Sequence, residues 1–344
     1  MEIGQKAALM KWRDGMTWRQ VEDELGMPRA KFRSQARRYR DGHQDEFETE
    51  PPVIDGVRAS DLQPDPERAF ERLQQDFENL RLLDDIRRRQ RLTFKQDVIA
   101  LAWSADWHVG AQGTNYKRLR SDLELIRDTP GMYLVLGGDL IDNFIIGKLR
   151  QVRNDARASI PDEWAVIRML LQIAAEKTVI TVEGNHDRWT KLLCGVDYFA
   201  DVMRDILGTA LYDPFEVRTH IDVGGWKDII LCARHKWRGC SQYSSTHAIE
   251  KSEKFGPSFH IGMGAHTHPM GQVRQFEAHI NERTVTGLSL MCGSYKELDP
   301  YPRQMGMPES GNESATVVAV IDSRNHALFG LNNLECAARW MEDV

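Results

Sequence analysis

Residues Thr178-Val179-Ile180-Thr181-Val182-Glu183-Gly184-Asn185-His186-Asp187-Arg188-Trp189 constrain this chain more than any other stretch. The first five are mostly β-branched and predict a strand. A glycine then breaks the run, and Asn, His and Asp follow in succession on the loop. Polar groups at the C-terminal edge of a buried strand are where open α/β folds place their chemistry. Taken alone, such a tetrapeptide is equally compatible with a polar turn. The pattern recurs, however, at four other predicted strand ends. Val98 to Trp103 runs into Asp106-Trp107-His108, and Tyr133 to Leu136 into Gly137-Gly138-Asp139-Leu140-Ile141-Asp142-Asn143. Asp228 to Ala233 ends in Arg234-His235. Phe259 to Met263 leads into Gly264-Ala265-His266-Thr267-His268-Pro269. Helices are predicted between them over Tyr116 to Asp128 and Pro161 to Glu176, the second with Trp164, Ile167, Leu170 and Leu171 on one face. A last strand over Ala315 to Ile321 precedes a turn at Asp322 to Asn325. Strands alternating with helices make an α/β layer fold over residues 96–344.

Each strand-end signal is weak by itself, because Asp-x-His and Gly-Asp occur by chance in many chains. His-x-His is somewhat better, since residues i and i+2 of an extended segment project to the same side. Five of the eleven histidines fall in this series. The other six (His43, His220, His247, His260, His279 and His326) are read as structural.

The bulk composition is that of a soluble globular protein, and no run of about 18 apolar residues is present to span a membrane. With no signal-peptide core at the N-terminus, a cytoplasmic location is expected. Five cysteines (Cys194, Cys232, Cys240, Cys292, Cys336) form no C-x-x-C pair and argue against a disulfide framework. The net charge of −6 hides an asymmetry: residues 1–42 hold ten Lys/Arg against six Asp/Glu, a local +4, which leaves 35 against 45, or −10, for the rest. A basic head on an acidic body points to a polyanion partner for the head alone.

In that head, Thr17 and Gln20 have the spacing of a capping box. Leu25-Gly26-Met27-Pro28 reads as the turn after the helix, with Pro28 suited to the first turn of the next. An earlier helix over Gln5 to Arg13 completes a three-helix unit. The third segment, Met27 to Arg40, carries Arg29, Lys31, Arg33, Arg37, Arg38 and Arg40 and no acidic residue. As one helix it would place Lys31, Ser34 and Arg38 on a common face and let Ala30, Phe32 and Tyr39 pack. The unit resembles the DNA-binding helix-turn-helix of resolvases and phage terminase subunits. A bundle whose basic helix is a solvated or assembly face is the plainer alternative.

Residues 43–95 connect the two parts. Asp45 to Pro66, rich in Pro, Asp and Glu, predicts a flexible linker. From Glu67 to Leu92, Phe70, Leu73, Phe77, Leu80, Leu83 and Ile86 recur every three or four residues. That is an amphipathic helix, expected to pack on the main domain or to pair with a copy of itself, so homo-oligomerisation is left open.

The main domain resembles the calcineurin-like metallophosphoesterases, in the branch of the SbcD-type DNA-repair nucleases. The matching motifs are Asp106-x-His108, Gly138-Asp139-x-x-Asp142, Gly184-Asn185-His186-Asp187, His235 and His266-x-His268. The resemblance implies a layered α/β/β/α sandwich and a dinuclear metal site. Asp106, His108 and His268 would hold one ion, Asn185, His235 and His266 the other, and Asp139 would bridge them. His186 would serve as the acid for the leaving group, oriented by Asp142. Carboxylate, imidazole and amide donors without thiolate suit Mn²⁺, with Fe or Zn²⁺ as alternatives. Two such ions can clamp a phosphoryl group and lower the pKa of a water nucleophile towards 7. Arg188, Lys236 and Arg238 follow the motifs and are candidate phosphate contacts, with surface charge as the plain alternative. Trp107, Trp189 and Trp237 adjoin the same motifs and are expected mainly to pack, with base stacking as the other role. Two departures stand out: Ala265 occupies the position where the family has Gly, and the chain ends soon after the core. The second implies no SbcC-type ATPase partner.

The expected function is a metal-dependent phosphodiesterase, most simply a DNA nuclease guided by its head. A terminase-like head on such a core has the look of a phage-encoded enzyme in a host cytoplasm. The alternative is a phosphatase or phosphodiesterase for a phosphoprotein or small nucleotide, with the head used in assembly. A non-enzymatic DNA-binding regulator is disfavoured by retention of all the ligands.

Overall fold

The computed structural model describes residues 1–47, 65–145, 158–239, 241, 243–268, 271–298 and 315–344. It divides into two compact units, Met1–Gln75 and Asp76–Val344. Most of the predicted linker, and Cys240, lie outside the described residues.

In the first unit, α1 (Ile3–Ala8) continues as a π-helical turn over Leu9–Arg13, followed by α2 (Trp18–Leu25) and α3 (Arg33–Gly42). The capping box forms as its spacing predicts: Thr17 N–H donates to Gln20 Oε1 at 2.8 Å, and Gln20 N–H to Thr17 Oγ1 at 3.3 Å. Gly26, at φ +61°, ends α2 in the left-handed region that glycine tolerates best. The basic segment is not one helix. A short 3₁₀ turn over Arg29–Lys31 comes first, and Phe32 at φ −126° interrupts it before α3 starts. The break lets the Phe32 ring drop into a small core with Ala7, Ala8, Val21 and Ala36, while Ala30, expected to pack, is exposed.

Helix α4 (Pro66–Arg89) is long and regular, as its periodicity predicts. None of its residues is buried, Phe70, Leu73, Phe77, Leu80, Leu83 and Ile86 included, so within the second unit the expected packing of Phe77, Leu80, Leu83 and Ile86 on the main domain is not found.

The second unit is a four-layer α/β/β/α sandwich, as the sequence leads one to expect. One sheet has the order β12-β11-β2-β3-β4-β5 and the other β1-β6-β7-β8-β10-β9. The first comprises β2 (Val98–Ser104), β3 (Met132–Leu136), β4 (Thr178–Val182), β5 (Leu211–Asp213), β11 (Val317–Asp322) and β12 (Ala327–Leu331). The second comprises β1 (Arg91–Phe94), β6 (Val217–Val223), β7 (Trp226–Ala233), β8 (Ile261–Gly264), β9 (Gln272–Ile280) and β10 (Arg283–Met291). Strand β1 starts before residue 96 and pairs parallel with β6.

Strand β2 shows why the layers form. All seven of its residues are buried, and with a side-chain period of two they face opposite ways. Ile99, Leu101 and Trp103 meet Ile229, Leu231, Met263 and Leu290 of the facing sheet. Ala100 and Ala102 meet the helical layer of α5 (Tyr116–Asp128), α6 (Ile160–Ile173), α8 (Tyr198–Ile206) and α10 (Leu334–Glu342), where Trp164, Ile167, Leu170 and Leu171 sit as predicted. On the far side α9 (His247–Phe255) covers the second sheet through Ala248 and Ile249. Trp103 Nε1 donates to the carbonyl of Gly264 at 2.6 Å, tying β2 to β8 across the sandwich. Strands β2, β3 and β4 are mutually parallel in one sheet, and so are β7, β8 and β10 in the other. Their C-terminal ends supply every group of the site below.

Candidate metal centre

Three loops zip together at this edge. Asp106 N–H donates to Gly138 O at 3.0 Å, His108 N–H to Asp139 O at 3.1 Å, and Val109 N–H to Leu140 O at 2.8 Å. The approach is close enough to exclude side chains at two points. A Cβ on Gly138 would stand 2.0 Å from Gly184 N, and one on Gly184 would stand 2.0 Å from Asp139 Oδ1. Asp106, His108, Asp139, Asn143, His266 and His268 all have positive φ. For non-glycine residues that costs of order 1 kcal/mol each and persists only where surroundings enforce it.

The enforcing group for Asp139 is Asp187, to which the sequence reading gave no role. Its Oδ2 accepts from Asp139 N–H at 2.7 Å and Gly184 N–H at 2.9 Å, and its Oδ1 from Leu140 N–H at 3.0 Å and Ile141 N–H at 3.4 Å. One buried carboxylate thereby joins the loop after β3 to the start of helix α7 (Asn185–Cys194). Its place at the third residue of a helix, where acids meet free N–H groups, was the available signal.

The predicted ligands assemble in two groups. Asp106, His108 and His268 form one, with His108 Nε2 2.9 Å from His268 Nε2 and Asp106 Oδ1 3.4 Å from His268 Nε2. Asp139, His235 and His266 form the other, with His235 Nε2 3.1 Å from Asp139 Oδ2 and 3.3 Å from His266 Nδ1. Asn185 opens α7 beside Asp139's neighbour His186. The donor atoms fit divalent ions. Asp106 Oδ2 is taken by the His266 N–H at 2.8 Å, whereas its Oδ1 and the Asn185 Oδ1 are buried with no hydrogen-bond partner among the described residues. His235 donates Nδ1–H to the Gly137 carbonyl at 2.7 Å, which leaves Nε2 as the donor lone pair.

Electrostatics agree. Burial raises the pKa of Asp139, but His235, His186 and His108 together lower it to well below the usual carboxylate range. Conversely burial lowers His235, and the Asp139 carboxylate reverses this to about 9. Asp106 and His268 perturb each other in the same senses. These carboxylates call for positive charge, which imidazolium or a metal ion can supply.

His186 donates Nδ1–H to the carbonyl of Asp142 at 2.5 Å, and its Nε2 faces Asp139 Oδ2 at 3.9 Å. Asp142 therefore orients His186 through its main chain. Its carboxylate instead lies 3.2 Å from His108 Nδ1, close but out of line for a hydrogen bond. The His186 ring is walled by Trp189 at 4.0 Å and Phe144 at 4.7 Å. Trp107 and Trp237 are likewise buried, their ring N–H groups donating to Ser104 Oγ and the Met263 carbonyl. All three tryptophans pack.

The extended-strand argument for His266-x-His268 does not hold. The segment is bent, with φ +78° and +47°, and the two rings serve different groups. Ala265 is accommodated, with its N–H on the His235 carbonyl at 2.9 Å. Among the tentative phosphate contacts, Arg188 faces Glu183 at 3.5 Å and stacks on Phe215, whereas Lys236 and Arg238 are exposed. In the head, Arg29 and Arg33 lie over Trp18 and Arg40 over Trp12, while Lys31, Arg37 and Arg38 are exposed. Cys194, Cys232, Cys292 and Cys336 are free thiols, and no helix among the described residues is long and apolar enough to cross a membrane.

Residues 100–270 match the calcineurin-like phosphoesterase family. Among solved structures the chain is similar to TT1561 of Thermus thermophilus, at 12% identity and TM-score 0.37 over 69% of this chain and 99% of that one. It is also similar to the calcineurin-like phosphoesterase YfkN from Bacillus subtilis, at 11% identity and TM-score 0.31 over 65% and 84%. No curated protein matches it in sequence. The two ligand groups and the family match together make this domain a calcineurin-like, metal-dependent phosphoesterase.

Proposed function

We propose that the chain is a phosphodiesterase acting on DNA, most simply a nuclease of the SbcD-like branch using two Mn²⁺ ions, and that its head holds the DNA. The observation that carries this reading is the surface depression lined by exposed Ala30, Ser34, Arg37 and Arg38 and half-buried Arg33, on the same chain as a phosphoester site. Basic side chains that are not spent on internal partners are available to backbone phosphates. A terminase-like head on such a core also fits a phage-encoded enzyme at work in its host's cytoplasm.

Bound divalent ions would supply Lewis-acid charge to the phosphoryl oxygens and to a water nucleophile. The chain's own contribution is to hold Asp106, His108 and His268 on one side, Asn185, His235 and His266 on the other, and Asp139 between them. His186 supplies the leaving-group proton. Burial holds its pKa at about 4, so the imidazolium needs an anionic neighbour, and the phosphodiester brings one. Its Nδ1–H bond to Asp142 keeps Nε2 as the nitrogen that exchanges the proton.

The test is to incubate the purified protein and Mn²⁺ with end-labelled single- and double-stranded DNA, a chromogenic phosphodiester and a phosphopeptide. Metal-dependent cleavage of DNA and of the diester is expected. Dephosphorylation of the peptide with intact DNA would establish the phosphatase alternative instead.

A further inference from the structure

Among the described residues, Lys296 is the one lysine or arginine that is buried. Lysine is almost never fully buried without a charged partner, because desolvating an ammonium is costly. It lies beyond the last histidine motif, on the loop that follows β10, and that loop is built into the metal centre. Ser294 Oγ and Tyr295 N–H both donate to the carbonyl of Asp106, at 2.8 and 3.2 Å. Lys296 N–H donates to Ser294 Oγ at 3.0 Å, and its main chain bridges to Thr114. So anchored, Lys296 sends its ammonium to Asp142 Oδ1 at 3.4 Å, over the Phe144 ring at 5.3 Å. The same Oδ1 lies 3.2 Å from His108 Nδ1. Of the buried carboxylates here, Asp106 and Asp139 are ligands and Asp187 is saturated by main-chain N–H groups. Asp142 alone faces a ligand histidine and a lysine together.

We propose that Lys296 is a positioning residue of the metal centre. Its charge holds the Asp142 carboxylate packed 3.2 Å from His108 Nδ1, so that the His108 ring keeps the orientation in which Nε2 lies beside Asp106 Oδ1 and His268 Nε2 and can face a divalent cation. A group packed behind a ligand imidazole holds the ring in its orientation, and the lysine keeps this carboxylate in place. The inference rests on the metal-centre reading and is independent of the DNA reading.

The experiment titrates Mn²⁺ calorimetrically into metal-stripped wild type, Lys296→Met, Lys296→Arg and Asp106→Asn. Lys296→Met keeps the apolar stem and removes the charge. It should weaken one of the two binding events by about 10-fold, the scale of changes behind a ligand histidine, and leave the other unaltered. Lys296→Arg should restore most of that loss. The KM for a chromogenic diester at saturating metal should not move. Unchanged metal affinity in Lys296→Met would overturn the proposal, and a raised KM alone would make Lys296 a substrate contact. Should Lys296→Met fail to fold, Asp142→Asn asks the same question: it must lose the same binding event, and retention of that event overturns the proposal. If Asp106→Asn keeps both ions, the metal-centre reading has failed, a result distinct from failure of the lysine's role.

Discussion

The metal centre and the basic head are both collections of chemically suggestive side chains, yet they are built in opposite ways. In the centre, Asp106, His108, Asp139 and His235 are buried, and Asp106, His108, Asp139, His266 and His268 sit at positive φ, held there by hydrogen bonds between neighbouring loops. In the head, Lys31, Arg37 and Arg38 point to solvent on a short helix and the turn before it, while Arg29, Arg33 and Arg40 are laid on tryptophan rings. Metal coordination demands fixed donors, so the chain spends backbone strain on them. Phosphate attraction is long-ranged and tolerant of position, so exposure suffices. Changes in the centre should therefore act all at once, and changes in the head by increments.

The contrast breaks first at Asp139. Asp139→Ala removes the carboxylate of the His235–His266 cluster that is proposed to bridge the two ions, and should abolish metal binding and hydrolysis together. Elemental analysis that still finds two equivalents of metal would show that the centre is not organised around this carboxylate. Next comes His186, which lies outside the two proposed ligand groups and clusters instead with His108 and Asp142. His186→Gln should keep metal and substrate binding while losing ~10²–10⁴ in rate on a poor leaving group. On a nitrophenyl diester, whose leaving group hardly needs a proton, the loss should be much smaller. Equal losses on both substrates would remove the acid role. The smallest effects belong to the head: Lys31→Ala, Arg37→Ala and Arg38→Ala should each lower the slope of log affinity for DNA against log salt by about one. Arg29→Ala and Arg33→Ala should act more through stability, since those side chains cover Trp18. A slope that falls as much for Arg33→Ala as for Arg38→Ala would erase the distinction between the exposed and the stacked bases.

How much of this the sequence disclosed follows from the same contrast. The ligands were legible because few residue types can bind a hard metal, and because most of them close a strand with a clear apolar or β-branched pattern. Lys296 was not, since its work is done on another side chain across 154 residues, and for Asp187 only the local cap on Gly184 could be read, not its hold on Asp139 across 48 residues. The strand before Lys296 is broken by Gly287 and by Thr284, Thr286 and Ser289, so it lacks the apolar run that marked β2 and β4. The bend at His266-Thr267-His268 was hidden for a further reason: positive φ at histidine is imposed by the surroundings and leaves no local signature. In the head the capping box at Thr17 was readable because it is local. The break at Phe32 was not, because it depends on what the ring packs against.

If one chain joins a phosphoester-cleaving centre to a separate DNA-holding head, the two activities should come apart when the head is removed. The most direct test compares Mn²⁺-dependent hydrolysis of DNA and of a chromogenic phosphodiester by the full chain and by the chain lacking residues 1–42, at physiological salt. No ligand of the centre lies before Asp106, so the shortened chain should hydrolyse the chromogenic substrate at nearly the full rate while its DNA binding and cleavage fall steeply. A shortened chain that binds and cuts DNA as well as the full one would contradict the claim.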